Sequence, residues 1–161
     1  MTDDRNALAG QVLDALREIE LLIADLYSRF ARFFPRDREL WESLSRDEEG
    51  HAAAAAELKG LLASVEAPKT VGRTNIAALS TYKKGLEYHV HRLERGEITR
   101  TKALFTARDI EKTLVERAFY DFVRSDHPGF MAGQARVSGE TKSHLEKLEE
   151  YIASLGGDAG H

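Results

Sequence analysis

Apolar residues recur along this chain in alternating steps of three and four, the spacing that lines them up on one side of an α-helix. In the first such run, about Asp4 to Phe34, the seam is Leu13, Leu16, Glu20, Ile23, Tyr27, Phe30 and Phe34. Asp3 or Asp4 is placed to cap its start. A second run, about Arg36 to Ser64, repeats the seam with Trp41, Leu44, Glu48, His51, Ala55, Leu58 and Leu62, and its alanines, Ala52 to Ala56, are the strongest of helix formers. Prolines at 35, 68 and 128 each stand where one periodic run stops and another begins. After a connection containing Ala67, Pro68 and Gly72, the stretch Ile76 to Arg95 carries Ile76, Leu79, Leu86, Val90 and Leu93 as a further helix, which Gly96 is expected to interrupt. Glu97 to Arg124 reads as one long helix, Ser125 to Gly129 as a turn, Met131 to about Leu155 as the last helix, and Gly156 to His161 as a frayed tail. No stretch alternates polar and apolar residues long enough to argue a strand. The expected architecture is all-α, a four-helix bundle of two hairpins with an additional helix in the crossover, residues 65–96.

At 161 residues the chain is the size of one domain. It contains no cysteine, which removes disulfides, zinc ribbons, iron–sulfur clusters and thiol nucleophiles, and leaves any metal to oxygen and nitrogen donors. Lys and Arg number 23 against 27 Asp and Glu, for a net charge of −4, and the two signs are mixed along the helix surfaces. Nucleic acid is therefore not an expected partner. No apolar run approaches the roughly 20 residues of a membrane span, so no membrane association is expected. The polar start, Met1 to Asn6, lacks the apolar stretch of a signal peptide, so the expected location is cytoplasmic.

Sliding the chain against itself by 93 residues lays Glu20 through Tyr27 onto Thr113 through Tyr120, and His51 onto His144. In the same register Leu44-Ser45 falls on Val137-Ser138, Asp47 on Glu140 and Leu62 on Leu155. One offset serving both helices of a pair implies two related hairpins, about 4–64 and 97–155.

Glu20, Glu48 and His51 lie on the seams, where a lone carboxylate is costly to bury and is normally paired, protonated or bound to a cation. Glu48 and His51 form Glu-x-x-His on one helical face. A Glu from one helix plus Glu-x-x-His from its neighbour is half of a carboxylate-bridged two-metal site in helical bundles. Carboxylates with imidazole suit iron or manganese and leave coordination positions for water or dioxygen.

On Glu20 with Tyr27 seven residues on, and on Asp47-Glu48-Glu49-Gly50-His51, the chain resembles the rubrerythrin and ferritin-like superfamily over nearly its whole length. The resemblance implies a single ferritin-like four-helix bundle over residues 1–161. It also implies an iron site, or one for another transition metal such as manganese or zinc, that oxidises ferrous iron or reduces peroxide. Carried over residue by residue, Glu20, Glu48 and His51 would be ligands, Tyr27 a neighbour of the site, and His144 the second imidazole. The family analogy further implies a homodimer and a small oxidant, dioxygen or peroxide. The second half departs from the pattern, with Thr113 and Thr141 at the register positions of two of the four expected carboxylates. Glu116, three residues beyond Thr113 and about 4.5 Å further along the axis, is the preferred substitute. Glu111 aligns only if the 93-residue register is abandoned locally. Glu140 is expected to pair with His144. The missing cysteines exclude a rubredoxin-type electron-transfer module.

Plain structural readings stand beside these. The Glu/His cluster can be a hydrogen-bonded core cluster, His144 a satisfied core residue, and Tyr27 and Tyr120 ordinary core aromatics; His89 and His91 read as surface or interface residues. Three functions remain open: a metal-dependent oxidoreductase, a non-catalytic metal-binding protein, and a helical interaction module with a vestigial site. The incomplete second half favours about one metal ion, held by the first half-site.

Overall fold

The computed structural model describes residues 2–62, 71 and 73–158; Ala67, Pro68 and residues 159–161 of the tail fall outside it, as does Gly72. Among the described residues five α-helices follow one another: α1 (Thr2–Phe33), α2 (Arg38–Leu61), α3 (Arg73–Glu94), α4 (Arg100–Arg117) and α5 (Pro128–Asp158). Short 3-10 turns at Pro35–Asp37 and Phe119–Phe122 precede α2 and follow α4. Among the described residues no helix is long and apolar enough to cross a membrane.

The seams read from the sequence are the buried faces. Leu13, Leu16, Ile23, Tyr27 and Phe30 of α1 meet Trp41, Leu44, Ala55 and Leu58 of α2 in one core. Trp41 anchors it, with its ring 5.6 Å from that of Tyr27 and 4.9 Å from that of Phe30, distances at which aromatic pairs contribute beyond the area they bury.

Cross-helix contacts fix the directions. Ser45 donates to the Ala24 carbonyl at 2.8 Å while Lys59 reaches Asp14, so α2 runs antiparallel to α1. Lys147 with Ser43 and Glu140 with His51 make α5 antiparallel to α2. Tyr27 with Glu111 and Glu20 with Tyr120 make α4 antiparallel to α1. Helix α3 lies along α1 in the same direction, pairing Lys83 with Glu18 and Glu94 with Arg29. It carries the chain back so that α4 can start at the far end, as a crossover helix does. Near the start of α5 the approach to α2 is close: a Cβ on Gly133 would stand 2.9 Å from Leu58 Cδ2.

The α1–α2 turn is pinned by a buried charge. Asp37 is 2% exposed and accepts from Arg100 Nε at 2.7 Å and Nη2 at 2.8 Å, and from the Tyr151 hydroxyl. Burial alone would raise its pKa, but these hydrogen bonds and the guanidinium charge hold it below the usual carboxylate range. One aspartate thus ties the turn to the beginning of α4 and to α5.

Besides starts at Arg73 rather than Ile76 for α3 and at Arg100 rather than Glu97 for α4, and an α5 that runs on to Asp158 past the fraying expected from Gly156, three boundaries differ from those the periodicity suggests. Asp3 and Asp4 lie inside α1, which begins at Thr2, and so do not cap it. The last helix begins at Pro128 rather than near Met131, since proline suits the first helical turn. The third correction matters most. The helix expected to run to Arg124 ends at Arg117, where Ala118 takes a left-handed conformation, φ 48 and ψ 53, and its N–H closes on the Leu114 carbonyl at 3.1 Å. A left-handed alanine costs about 1–2 kcal/mol and leaves no trace in a hydrophobic pattern.

Candidate metal centre

Four helices each send at least one buried polar side chain to a single place. Glu20 comes from α1, Glu48 and His51 from α2, Glu111 from α4 and His144 from α5, and none is more than 5% exposed. Glu48 is central. Its Oε2 lies 3.2 Å from His51 Nδ1 and its Oε1 3.0 Å from His144 Nδ1. The imidazole rings stack with centroids 5.3 Å apart. Glu20 Oε2 stands 3.8 Å from His51 Nδ1, and Glu111 Oε1 stands 3.8 Å from His144 Nδ1. Ligand atoms of Glu48, His51 and His144 all lie within 4.8 Å of one another.

The two halves are related by an approximate two-fold exchange, and each half is braced by the other. Tyr27 donates to Glu111 Oε1 at 2.9 Å, and Tyr120 donates to Glu20 Oε1 at 3.3 Å. His51 Nε2 meets Glu140 Oε2 at 2.7 Å, and His144 Nε2 meets Asp47 Oδ2 at 3.1 Å. These outer carboxylates orient the imidazoles and turn both Nδ1 atoms inward, the arrangement that fixes histidine ligands of metal ions. Glu140 therefore serves His51 on the neighbouring hairpin, not His144 four residues away. Tyr120 is held in turn by Gln134 of α5, which donates to the carbonyls of Tyr120 and Val123 at 2.6 and 2.5 Å.

Glu116, the preferred substitute, is exposed on α4 and takes no part in the cluster. Glu111 stands there instead. Thr113 is also turned away, partly exposed, with its hydroxyl on the Asp109 carbonyl at 2.8 Å. The cause is the end of α4. From Glu20 to Tyr27 is seven residues, whereas from Glu111 to Tyr120 is nine, and the left-handed Ala118 absorbs the difference. The 93-residue offset thus holds for Tyr120, Glu140 and His144 but becomes 91 at the α4 carboxylate. Thr141 does face inward, 6% exposed, with its hydroxyl donating to the Val137 carbonyl at 2.8 Å. The structure thus brings a carboxylate, Glu111, to the α4 side of the cluster and a threonine, Thr141, to the α5 side.

Electrostatics set the protonation of the metal-free cluster. Burial would lower the His51 pKa, but the Glu20 and Glu48 carboxyls facing its Nδ1 at 3.8 and 3.2 Å lift it to about 11. His144, set the same way against Glu111 and Glu48, is lifted to about 10. Burial and the facing carboxyls of Glu111 and Glu20 push Glu48 well above its usual range. Burial would also raise Glu20, yet the neighbouring Glu48 carboxyl, the His51 imidazolium and the Tyr120 hydroxyl hold it lower than usual. Tyr27 and Tyr120 are raised, by burial first and then by the charges of Glu111 and Glu20 respectively, so both remain neutral donors. Five protein donors, three carboxyls and two imidazoles, here surround a space that protons on His51 and His144 neutralise.

Two atoms are left over. Glu20 Oε2 and Glu111 Oε2 are buried without a hydrogen-bond partner, at equivalent positions in the two halves. Each carboxylate has its Oε1 held by a tyrosine; Glu20 Oε2 faces His51 Nδ1 only at 3.8 Å, beyond hydrogen-bond reach, and such an oxygen is costly to leave unbonded. No protein-family model matches the chain, and neither a curated protein nor a solved structure matches it.

Proposed function

We propose that the cluster is a dinuclear metal centre of the rubrerythrin and ferritin-like kind, built in a ferritin-like bundle of α1, α2, α4 and α5, and that its metal is iron. The observation that carries this reading is the pair of unpartnered oxygens, Glu20 Oε2 and Glu111 Oε2, on either side of a Glu48 whose two oxygens face two inward Nδ1 atoms. Glu20, Glu48 and His51 would hold one ion, and Glu111, Glu48 and His144 the other, with Glu48 as the bridge. Glu111 supplies what the one-metal expectation lacked. The oxygen-rich donor set with two imidazoles favours iron or manganese over soft-ligand metals.

When bound, a ferrous pair supplies two electrons, enough to reduce peroxide to water with uptake of two protons while each iron passes from the +2 to the +3 state. The chain's own part would be to hold the ions through Glu20, Glu48, Glu111 and the two imidazoles, with Asp47 and Glu140 keeping the imidazoles oriented and the Tyr27 and Tyr120 hydroxyls on Glu111 and Glu20. A second reading, a metal-free polar core in a helical interaction module, draws its support from the raised histidines, which balance the buried carboxylates with protons.

Iron oxidation separates the readings. Metal-free protein loaded anaerobically with two ferrous ions per chain and mixed with peroxide is expected to develop ferric absorbance at least tenfold faster than the same iron in buffer. Glu111→Ala should remove most of that advantage. A rate no faster than free iron would end the oxidoreductase reading, leaving a non-catalytic metal protein if the iron is bound and an interaction module if it is not.

A further inference from the structure

The two halves of the cluster match in their terminal carboxylates but not in what holds them. Tyr27 sits inside α1, 0% exposed, with its ring against Trp41 and its hydroxyl on Glu111 Oε1 at 2.9 Å. Tyr120 lies outside the α-helices, in the 3-10 turn Phe119–Phe122 that follows the left-handed Ala118. Its hydroxyl stands 3.3 Å from Glu20 Oε1 and 3.4 Å from the His51 carbonyl, so one proton is shared between two acceptors. Glu20 also borders a cavity of about 150 Å³ walled by Ala118, Phe119 and Tyr120, which leaves its carboxylate room to turn once the hydroxyl no longer holds it.

What fixes the turn therefore fixes Glu20. Phe119 and Val123 are buried and seat the turn in the core, yet apolar burial is not directional. The direction comes from α5. Gln134 commits both amide hydrogens to the turn, donating to the carbonyls of Tyr120 and Val123 at 2.6 and 2.5 Å. Other polar ties are local or long: the Asp121 N–H meets the Ala118 carbonyl at 2.9 Å, and Asn75 stands 3.5 Å from the Phe122 carbonyl.

We propose that Gln134 is a positioning residue for the Glu20 half of the centre: it fixes the turn, the turn fixes the Tyr120 hydroxyl, and the hydroxyl keeps Glu20 aimed beside Glu48 and His51. The inference rests on the dinuclear reading. It makes the two half-sites unequal, the Glu111 half being set from within a helix and the Glu20 half by a latch that a change on α5 releases.

Cobalt(II) affinity, read one half at a time from the visible spectrum, provides the test. Glu111→Gln keeps the Glu20 half, and Glu20→Gln keeps the Glu111 half. Gln134→Met, similar in length but unable to donate, should weaken cobalt binding at least about tenfold in Glu111→Gln, the scale on which residues behind metal ligands act, and hardly change it in Glu20→Gln. Within Glu111→Gln, Tyr120→Phe should weaken binding about as much. Adding Gln134→Met to it should then change little, because residues that act through one contact are not additive. If Gln134→Met does not fold, Gln134→Asn, whose shorter amide cannot reach both carbonyls, should show the same selectivity. Equal weakening in both backgrounds, full additivity with Tyr120→Phe, or no weakening at all would overturn the proposal while leaving the centre intact. A parent chain that takes up fewer than two cobalt ions would overturn both.

Discussion

Glu48→Gln is expected to lose both metal ions, whereas Glu20→Gln and Glu111→Gln are each expected to lose one. Glu48 sets its two oxygens against both imidazoles, at 3.2 and 3.0 Å, as no other carboxylate among the described residues does. An amide keeps the shape but offers one oxygen and an NH2 group, and a donor pointed at a cation repels it. The same substitution should also weaken the metal-free fold. With both imidazoles protonated, His51 Nδ1–H and His144 Nδ1–H both donate to Glu48, and the Gln NH2 can accept from neither, so one buried hydrogen bond is lost at a cost of about 1–3 kcal/mol. Thermal unfolding with and without ferrous iron reads both effects together. The parent should gain about 2.7 kcal/mol for each site at a hundredfold excess over its dissociation constant, and Glu48→Gln should gain nothing. A variant that gains as much as the parent would show that Glu48 is not the bridge.

The second large effect is on pH. His51 and His144 have folded-state pKa values near 11 and 10, against about 6.5 when unfolded. A raised pKa means that the stability these groups contribute is fully present below about pH 6.5 and is lost as pH climbs through their folded values. Glu48 acts with the same sign from a lower starting point, while Glu20, held lower than usual, opposes it only on the acid side. Between pH 7 and 9 the folded metal-free chain thus binds more protons than the unfolded one, and each excess proton lowers stability by about 1.4 kcal/mol per pH unit. The metal-free midpoint of unfolding should fall across that window. Metal and protons compete for the same atoms, so binding should tighten as the metal-free fold weakens. Titrating metal at pH 7.5 in two buffers of different ionisation enthalpy should report release of at least two protons per chain, from His51 and His144. No proton release, with a flat stability profile, would contradict this electrostatic account.

Much of the fold was legible because helical seams carry their burial in their spacing. Glu20, Glu48, His51 and His144 stood out because a charged residue on an apolar seam is an anomaly that physical chemistry must resolve. Glu111 was harder to read. Assuming one helix to Arg124 and one constant offset led to Thr113 and then to Glu116, and only the backbone reveals that Ala118 turns left-handed and shifts α4 by two residues against its repeat. A signal did exist: Leu104, Ala107, Glu111 and Leu114 step by three and four, and Glu111 lies on that seam while Glu116 does not. The crossed pairs, Asp47 with His144 and Glu140 with His51, left less to see. Both carboxylates are about half exposed, so neither violates a burial pattern. Only their equivalence at 93 residues hinted that they do the same work.

The number of metal ions per chain tests the central claim most directly. Metal-free protein is dialysed anaerobically against excess ferrous iron, freed of unbound metal, and its iron counted against protein by elemental analysis. Two ions per chain in the parent and one in Glu111→Gln is the predicted result. None in the parent, or one ion retained equally by the parent and Glu111→Gln, would contradict a dinuclear centre bridged by Glu48.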